Sequence, residues 1–194
     1  DRHAVAGRVM VVLLVGVSLA RCAALSAMYR EPHPWVAASE WLAERAEPGD
    51  GIAVEAWDHP LPVNDDRFEL LELPVFEEES DEKWETMDRL LERADYVVVA
   101  SRRGYGALAR WPSRYPRTAG YYGRLFRGEM GFEPVACFGR FPRLGPVAFG
   151  DDPTEGLPFS LPDVCGERVG RVIRLGRLDE SFVVYDHPLV VLFE

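Results

Sequence analysis

The stretch AVAGRVMVVLLVGVSLARCAALSAMY near the start of the chain restricts the fold more than any other. Residues 5–24 are predominantly apolar, and as a helix they extend about 30 Å, the thickness of a bilayer core. Arg8 and Arg21 lie near opposite ends of that run, where long side chains reach the headgroups. A helix that is apolar all round needs partners around its whole circumference. The rest of a 194-residue chain is too short to supply them and still build its own core. The expectation is therefore a transmembrane helix over residues 1–28, followed by a soluble domain over residues 29–194.

A signal peptide is the rival reading. Residues 9–20 have the length of its apolar region, and Ala24-Leu25-Ser26-Ala27 has the small residues of a cleavage site. A lipoprotein box is disfavoured, because in LARC (19–22) Arg21 stands where a small residue is needed. The opening Asp1-Arg2-His3 has no initiator Met, so the helix is expected to be the last span of a longer chain. Charge does not orient it, since Arg2 and Arg8 on one flank balance Arg21 and Arg30 on the other.

Acidic residues outnumber basic ones 32 to 22, for a net charge of −10. Such a surface repels a phosphate backbone, and no nucleic-acid partner is expected. Cys22, Cys137 and Cys165 show no metal-ligand spacing. The last two read as ordinary buried thiols, with a disulfide as the alternative in an oxidising compartment.

In the soluble part, Trp35, Ala38, Trp41, Leu42 and Ala46 have helical spacing behind Pro34, and Pro48-Gly49 stops the helix. Residues 52–57 read as a strand. Residues 65–85 read as an acidic, irregular loop that enters a helix at Ser80, a good N-cap with Asp81 and Glu82 in the first turn. That helix places Trp84, Met87, Leu90, Leu91 and Ala94 inward, and YVVVA (96–100) follows as a strand covered on both faces. A third helix starts near Pro116 with Tyr121, Tyr122, Leu125 and Phe126 inward, and a strand resumes over residues 132–138.

This alternation predicts an α/β fold: a Rossmann-like layered domain preceded by one transmembrane helix. The Pro- and Gly-rich residues 141–163 read as loops with one edge strand around 146–149, and residues 169–175 read as another short strand. The end, SFVVYDHPLVVLFE, reads as a C-terminal β-hairpin turning on Asp-His-Pro-Leu.

Ligands of open α/β sheets collect beyond the carboxyl ends of strands. Two such ends are EAWDH (55–59) and SRRGYG (101–106). Arg102 and Arg103 are candidates for holding a phosphate, with surface pairing to acidic residues as the simpler alternative. Gly104-Tyr105-Gly106 begins a loose GxGxxA pattern, but Trp111-Pro112 interrupts the helix a dinucleotide needs, so it reads as a turn. The tetrad Asp-His-Pro-Leu occurs twice, and convergence of Asp58, His59, Asp186 and His187 would make a metal site. Asp two residues before Pro also suits two independent turns, which need no shared ligand, so no metal site is expected. No nucleophile stands at recognisable spacing from a base, so neither catalytic residues nor a cofactor are expected within these residues.

Three blocks carry a family resemblance: AASEWLAERAEPGDGIAVEAWDHPLPV (37–63), ADYVVVASRRGYGALARWPSRYPRTAGYYGRLFRGEMGFEPV (94–135) and SFVVYDHPLVVLF (181–193). Together they resemble the C-terminal extracytoplasmic domain of polytopic GT-C type membrane glycosyltransferases, those of glycosyltransferase family 39 and the related YYY-type membrane proteins of Chloroflexi and archaea. The likeness covers nearly all of residues 29–194, and is most specific at Arg114-Tyr115-Pro116, Tyr121-Tyr122 and Gly131-Phe132-Glu133. His59 departs from it, standing where a second acidic residue would follow Asp58.

The resemblance implies a parent enzyme that transfers a sugar from a polyprenyl-phosphate carrier outside the cytoplasm. Its catalytic acidic residue would lie in an early loop between transmembrane helices. The present residues would then form a non-catalytic outer domain. The implied partners are the membrane, the upstream transmembrane region of the same chain, and a lipid-linked sugar or acceptor. Asp58, His59, Arg102, Arg103, Tyr105, Asp186 and His187 are the candidate substrate-binding residues. The alternative is a binding or interaction module of the cell envelope within an integral membrane protein.

Overall fold

The computed structural model describes residues 2–56, 61, 66–169, 171–174, 176 and 179–194. Helix α1 (Arg2–Met28) contains the apolar run, with a mean hydropathy of 2.2 over its most apolar 18-residue window and only 6% of that window buried. It is long and apolar enough to cross a membrane. Leu13, Leu14 and Leu19 are each more than 60% exposed, while Ala24 and Met28 are buried against the domain.

Helix α2 (Pro34–Arg45) begins as its sequence predicts, with Pro34 at the first position and the His33 side chain capping the Trp35 N–H at 3.2 Å. The strands β1 (Gly51–Glu55), β2 (Glu69–Leu73), β3 (Tyr96–Val99), β4 (Pro134–Phe138) and a last strand at Val190–Phe193 form the main sheet. A smaller sheet contains β5 (Arg143–Leu144), β6 (Val147–Gly150) and β7 (Arg171–Arg174), so the Val190–Phe193 strand is β8. The order of the main sheet is β2-β1-β3-β8-β4, with β1 parallel to β2 and β3, and β8 antiparallel to both β3 and β4.

Among the described residues, helices α3 (Asp81–Leu91), α4 (Arg103–Ala107), α5 (Pro116–Phe126) and α6 (Asp163–Val169) complete the regular elements, apart from one π-helical turn at Phe182–Asp186. Because strand side chains alternate, the main sheet feeds two cores. Ala53, Leu71, Val97, Val99, Val191 and Phe193 face Trp84, Met87, Tyr122, Leu125 and Phe126 of α3 and α5. Ile52, Val54, Val98, Val190 and Leu192 face Ala38 and Leu42 of α2. The whole is a mixed α/β structure with mixed sheets behind one long apolar helix.

Four expectations are corrected. The terminal hairpin does not form: residues 182–186 close an i→i+5 turn, with the His187 N–H donating to the Phe182 carbonyl at 3.2 Å, and only 190–193 is extended. That single strand gains two partners, β3 and β4, where a hairpin at the edge would give it fewer. Residues 69–73, read as loop because of Glu69 and Glu72, form strand β2, with Leu71 and Leu73 turned inward. The strand at 147–150 is the middle strand of the small sheet and not an edge. Cys137 and Cys165 are joined by a disulfide with a Cα–Cα distance of 5.1 Å, tying β4 to α6.

Candidate functional site at the carboxyl end of the main sheet

β8 pairs Val191 with Val99 and Val190 with Phe138. Its amino end therefore lies where β3 and β4 have their carboxyl ends, and the segment leading into it is carried to the start of the SRRGYG loop. This placement unites Arg102 and His187, 85 positions apart in sequence (187 − 102). Both line one small hollow of about 10 Å³ together with Gly139, Arg140, Asp151 and Leu189.

Arg102 turns inward. Its Nη1 donates to Asp151 Oδ2 at 2.5 Å, and the side chains are only 7% and 3% exposed. Asp151 follows β6 directly, so this ion pair fastens the small sheet to the end of the main one. A buried pair of this kind fixes position more than it adds stability. Arg103 turns outward, donating to the Tyr185 hydroxyl and lying 5.2 Å over its ring. The two arginines thus serve different partners.

His187 is 4% exposed, and neither ring nitrogen has a hydrogen-bond partner among the described residues. Burial, with the Arg102 and His33 charges adding to it and those of Asp186 and Asp151 opposing it, lowers its pKa to about 4. The ring is therefore neutral at physiological pH. Asp186, next to it, is exposed.

Tyr105 is fully buried against Tyr122, Phe126 and Phe159, and burial pushes its phenol well above the usual range. It is part of the core and offers no hydroxyl to solvent. Beside it the Tyr122 hydroxyl donates to Glu55 Oε1, both side chains being buried. Gly104 makes this possible, because a Cβ there would overlap the Tyr122 hydroxyl and stand 3.0 Å from Glu55 Oε1.

Asp58 and His59 lie outside the described residues. Strand β1 has its own carboxyl end, at Glu55, on this same side of the sheet. Among the described residues no group of three or more His, Cys, Asp or Glu side chains is placed to hold a metal ion.

Glu55, Asp151 and Arg140 were not singled out as site residues from the sequence, and Tyr122 was read as an inward core residue of its helix and as part of the family resemblance. Glu55 carried a signal, being a carboxylate at the end of an apolar strand, whereas Asp151 sits in a Gly-Asp-Asp-Pro stretch that reads as loop. Chemically, the site consists of a buried ion pair, Arg102 with Asp151, beside a neutral imidazole, and a separate buried pair, Tyr122 with Glu55, at the end of β1. Comparisons with protein-family profiles, with curated proteins and with solved structures find no match for this chain.

Proposed function

We propose that the chain is the outer, extracytoplasmic domain of a membrane-embedded glycosyltransferase that uses a polyprenyl-phosphate sugar. In this reading α1 is a transmembrane tether, and residues 29–194 cover the membrane part or help to seat an acceptor without carrying the chemistry. The observation that carries the reading is α1, whose apolar side chains from Val9 to Leu19 stand exposed along a helix of membrane-spanning length. Apolar surface on that scale calls for lipid or neighbouring helices.

Three further features support it. The Cys137–Cys165 disulfide suits an oxidising compartment outside the cytoplasm. The parallel β2-β1-β3 arrangement, with α3 between β2 and β3 in the chain, suits a Rossmann-like unit into which β8 has been inserted. The inward pairing of Arg102 with Asp151 and of Glu55 with Tyr122 suits a supporting role for the sheet end, since both are engaged within the domain. The transferase itself rests on the three sequence blocks that resemble such enzymes.

The test is made in membranes carrying the full-length gene product, the same product lacking residues 29–194, or residues 1–194 alone. Residues 1–194 should resist carbonate extraction, be digested by protease added outside spheroplasts, and transfer no sugar from a polyprenyl-phosphate hexose. The full-length product should transfer it, and removal of residues 29–194 should lower acceptor-dependent transfer. Turnover by residues 1–194 alone refutes the non-catalytic role, and inactivity of the full-length product refutes the transferase.

A further inference from the structure

A second feature at this end of the sheet is independent of the membrane reading. A cleft of about 330 Å³ opens between the first turn of α2 and the connection from β4 to β5, lined by Pro34, Ala37, Phe138, Gly139, Arg140 and Arg143. It backs onto the His187 hollow, with Gly139 and Arg140 in both walls. Its place follows from packing: the Trp35 indole N–H donates to the Ala100 carbonyl at 2.9 Å, which holds the start of α2 beside the strand ends.

We propose that this cleft binds a phosphate-bearing ligand through Arg140 and Arg143. In a chain of net charge −10, two guanidiniums facing one cleft concentrate positive charge there. The positive end of the twelve-residue helix α2 adds to the same field. Arg143 is exposed and has no partner among the described residues.

Arg140 is only partly satisfied. Its Nη1 is paired with the Glu31 carboxylate and its Nη2 donates to the Pro32 carbonyl at 3.5 Å, while its Nε–H is buried with no acceptor among the described residues. A tetrahedral anion has the oxygens to meet both guanidiniums, which a single carboxylate, already present as Glu31, does not. The volume is near the lower end of ligand sites, as suits a phosphate on a small group or a lipid headgroup.

Glu31 and the ligand compete for Arg140, and this gives the test its sign. Pyrophosphate is titrated into residues 1–194 in neutral detergent micelles by calorimetry, with inorganic phosphate as a second probe. Saturable binding is expected, weakening about tenfold in Arg143→Gln and tightening in Glu31→Gln, through loss and gain of one charge-assisted contact. Arg143 has no partner to lose among the described residues, so its variant reports on binding and not on folding. Repeating the titration in phosphatidylcholine nanodiscs with and without phosphatidic acid distinguishes the sources. Competition by phosphatidic acid assigns the site to a lipid headgroup, and undiminished pyrophosphate binding assigns it to a soluble phosphate compound. Absence of saturable binding overturns the proposal, as does binding that neither Arg143→Gln nor Glu31→Gln alters.

Discussion

Arg102 Nη1 lies 2.5 Å from Asp151 Oδ2 in a site from which both side chains are nearly excluded from water, and this one contact joins the end of β3 to the end of β6. Removing one charge leaves the other in a poorly solvated place. Asp151→Asn or Arg102→Met should each destabilise the domain by about 3–5 kcal/mol, whereas replacing both by apolar residues should lose much less. Urea unfolding of the single and double variants checks this. A double variant as unstable as the sum of the singles would show that the pair has no mutual dependence.

His187 predicts a pH dependence. Its folded pKa, about 4, lies below the ordinary histidine value of 6.5, so the folded state favours the neutral ring. The associated stability is fully present above pH 6.5 and is lost as the pH falls toward 4, by about 3 kcal/mol in total. His187→Phe should flatten that part of the profile. The measurement is the urea midpoint between pH 7 and pH 4, and an unchanged slope in the variant would contradict it.

Closing a loop with a sequence separation of 28, the Cys137–Cys165 bond should contribute about 3–4 kcal/mol through the unfolded chain. The double substitution of both cysteines by Ser should lower the thermal midpoint, and adding reductant to the unsubstituted protein should do the same. Mass spectrometry before and after reduction and alkylation verifies the pairing.

At Gly104, a methyl group would occupy the space of the Tyr122 hydroxyl. Gly104→Ala should destabilise by about 1–3 kcal/mol through overpacking. Tyr122→Phe removes the atom in the way, so the double variant should be more stable than the two separate effects predict. A double-mutant cycle read by thermal unfolding measures that coupling.

Much of the fold was legible because the apolar spacing in α2, α3 and α5 and the fully apolar YVVVA run each admit one good burial solution. β2 was obscured by Glu69, Leu70 and Glu72, which are exposed and dilute its pattern to two inward leucines. The last segment was misread because Phe182, Val183, Val184 and Tyr185 have strand-favouring side chains, and only tertiary packing makes them a helical turn.

The candidate site was half legible. Arg102 and His187 could be named singly as polar residues at strand ends, but only the insertion of β8 between β3 and β4 brings them together. Cysteine spacing says nothing about which thiols meet, since the approach of α6 to β4 decides it. Asp151 and Arg140 acquire their roles through partners 49 and 109 positions away (151 − 102; 140 − 31), beyond the reach of local pattern.

The position of β8 also governs how this domain is born. Of the five strands in its sheet, the one that fills the gap between β3 and β4 is translated last. Until it emerges from the ribosome, those two neighbours present raw, unmatched edges that invite pairing with other nascent chains. Completion of this layer should therefore be a late event in biosynthesis, leaving an interval in which a chaperone in the compartment where the domain folds would have the most to protect.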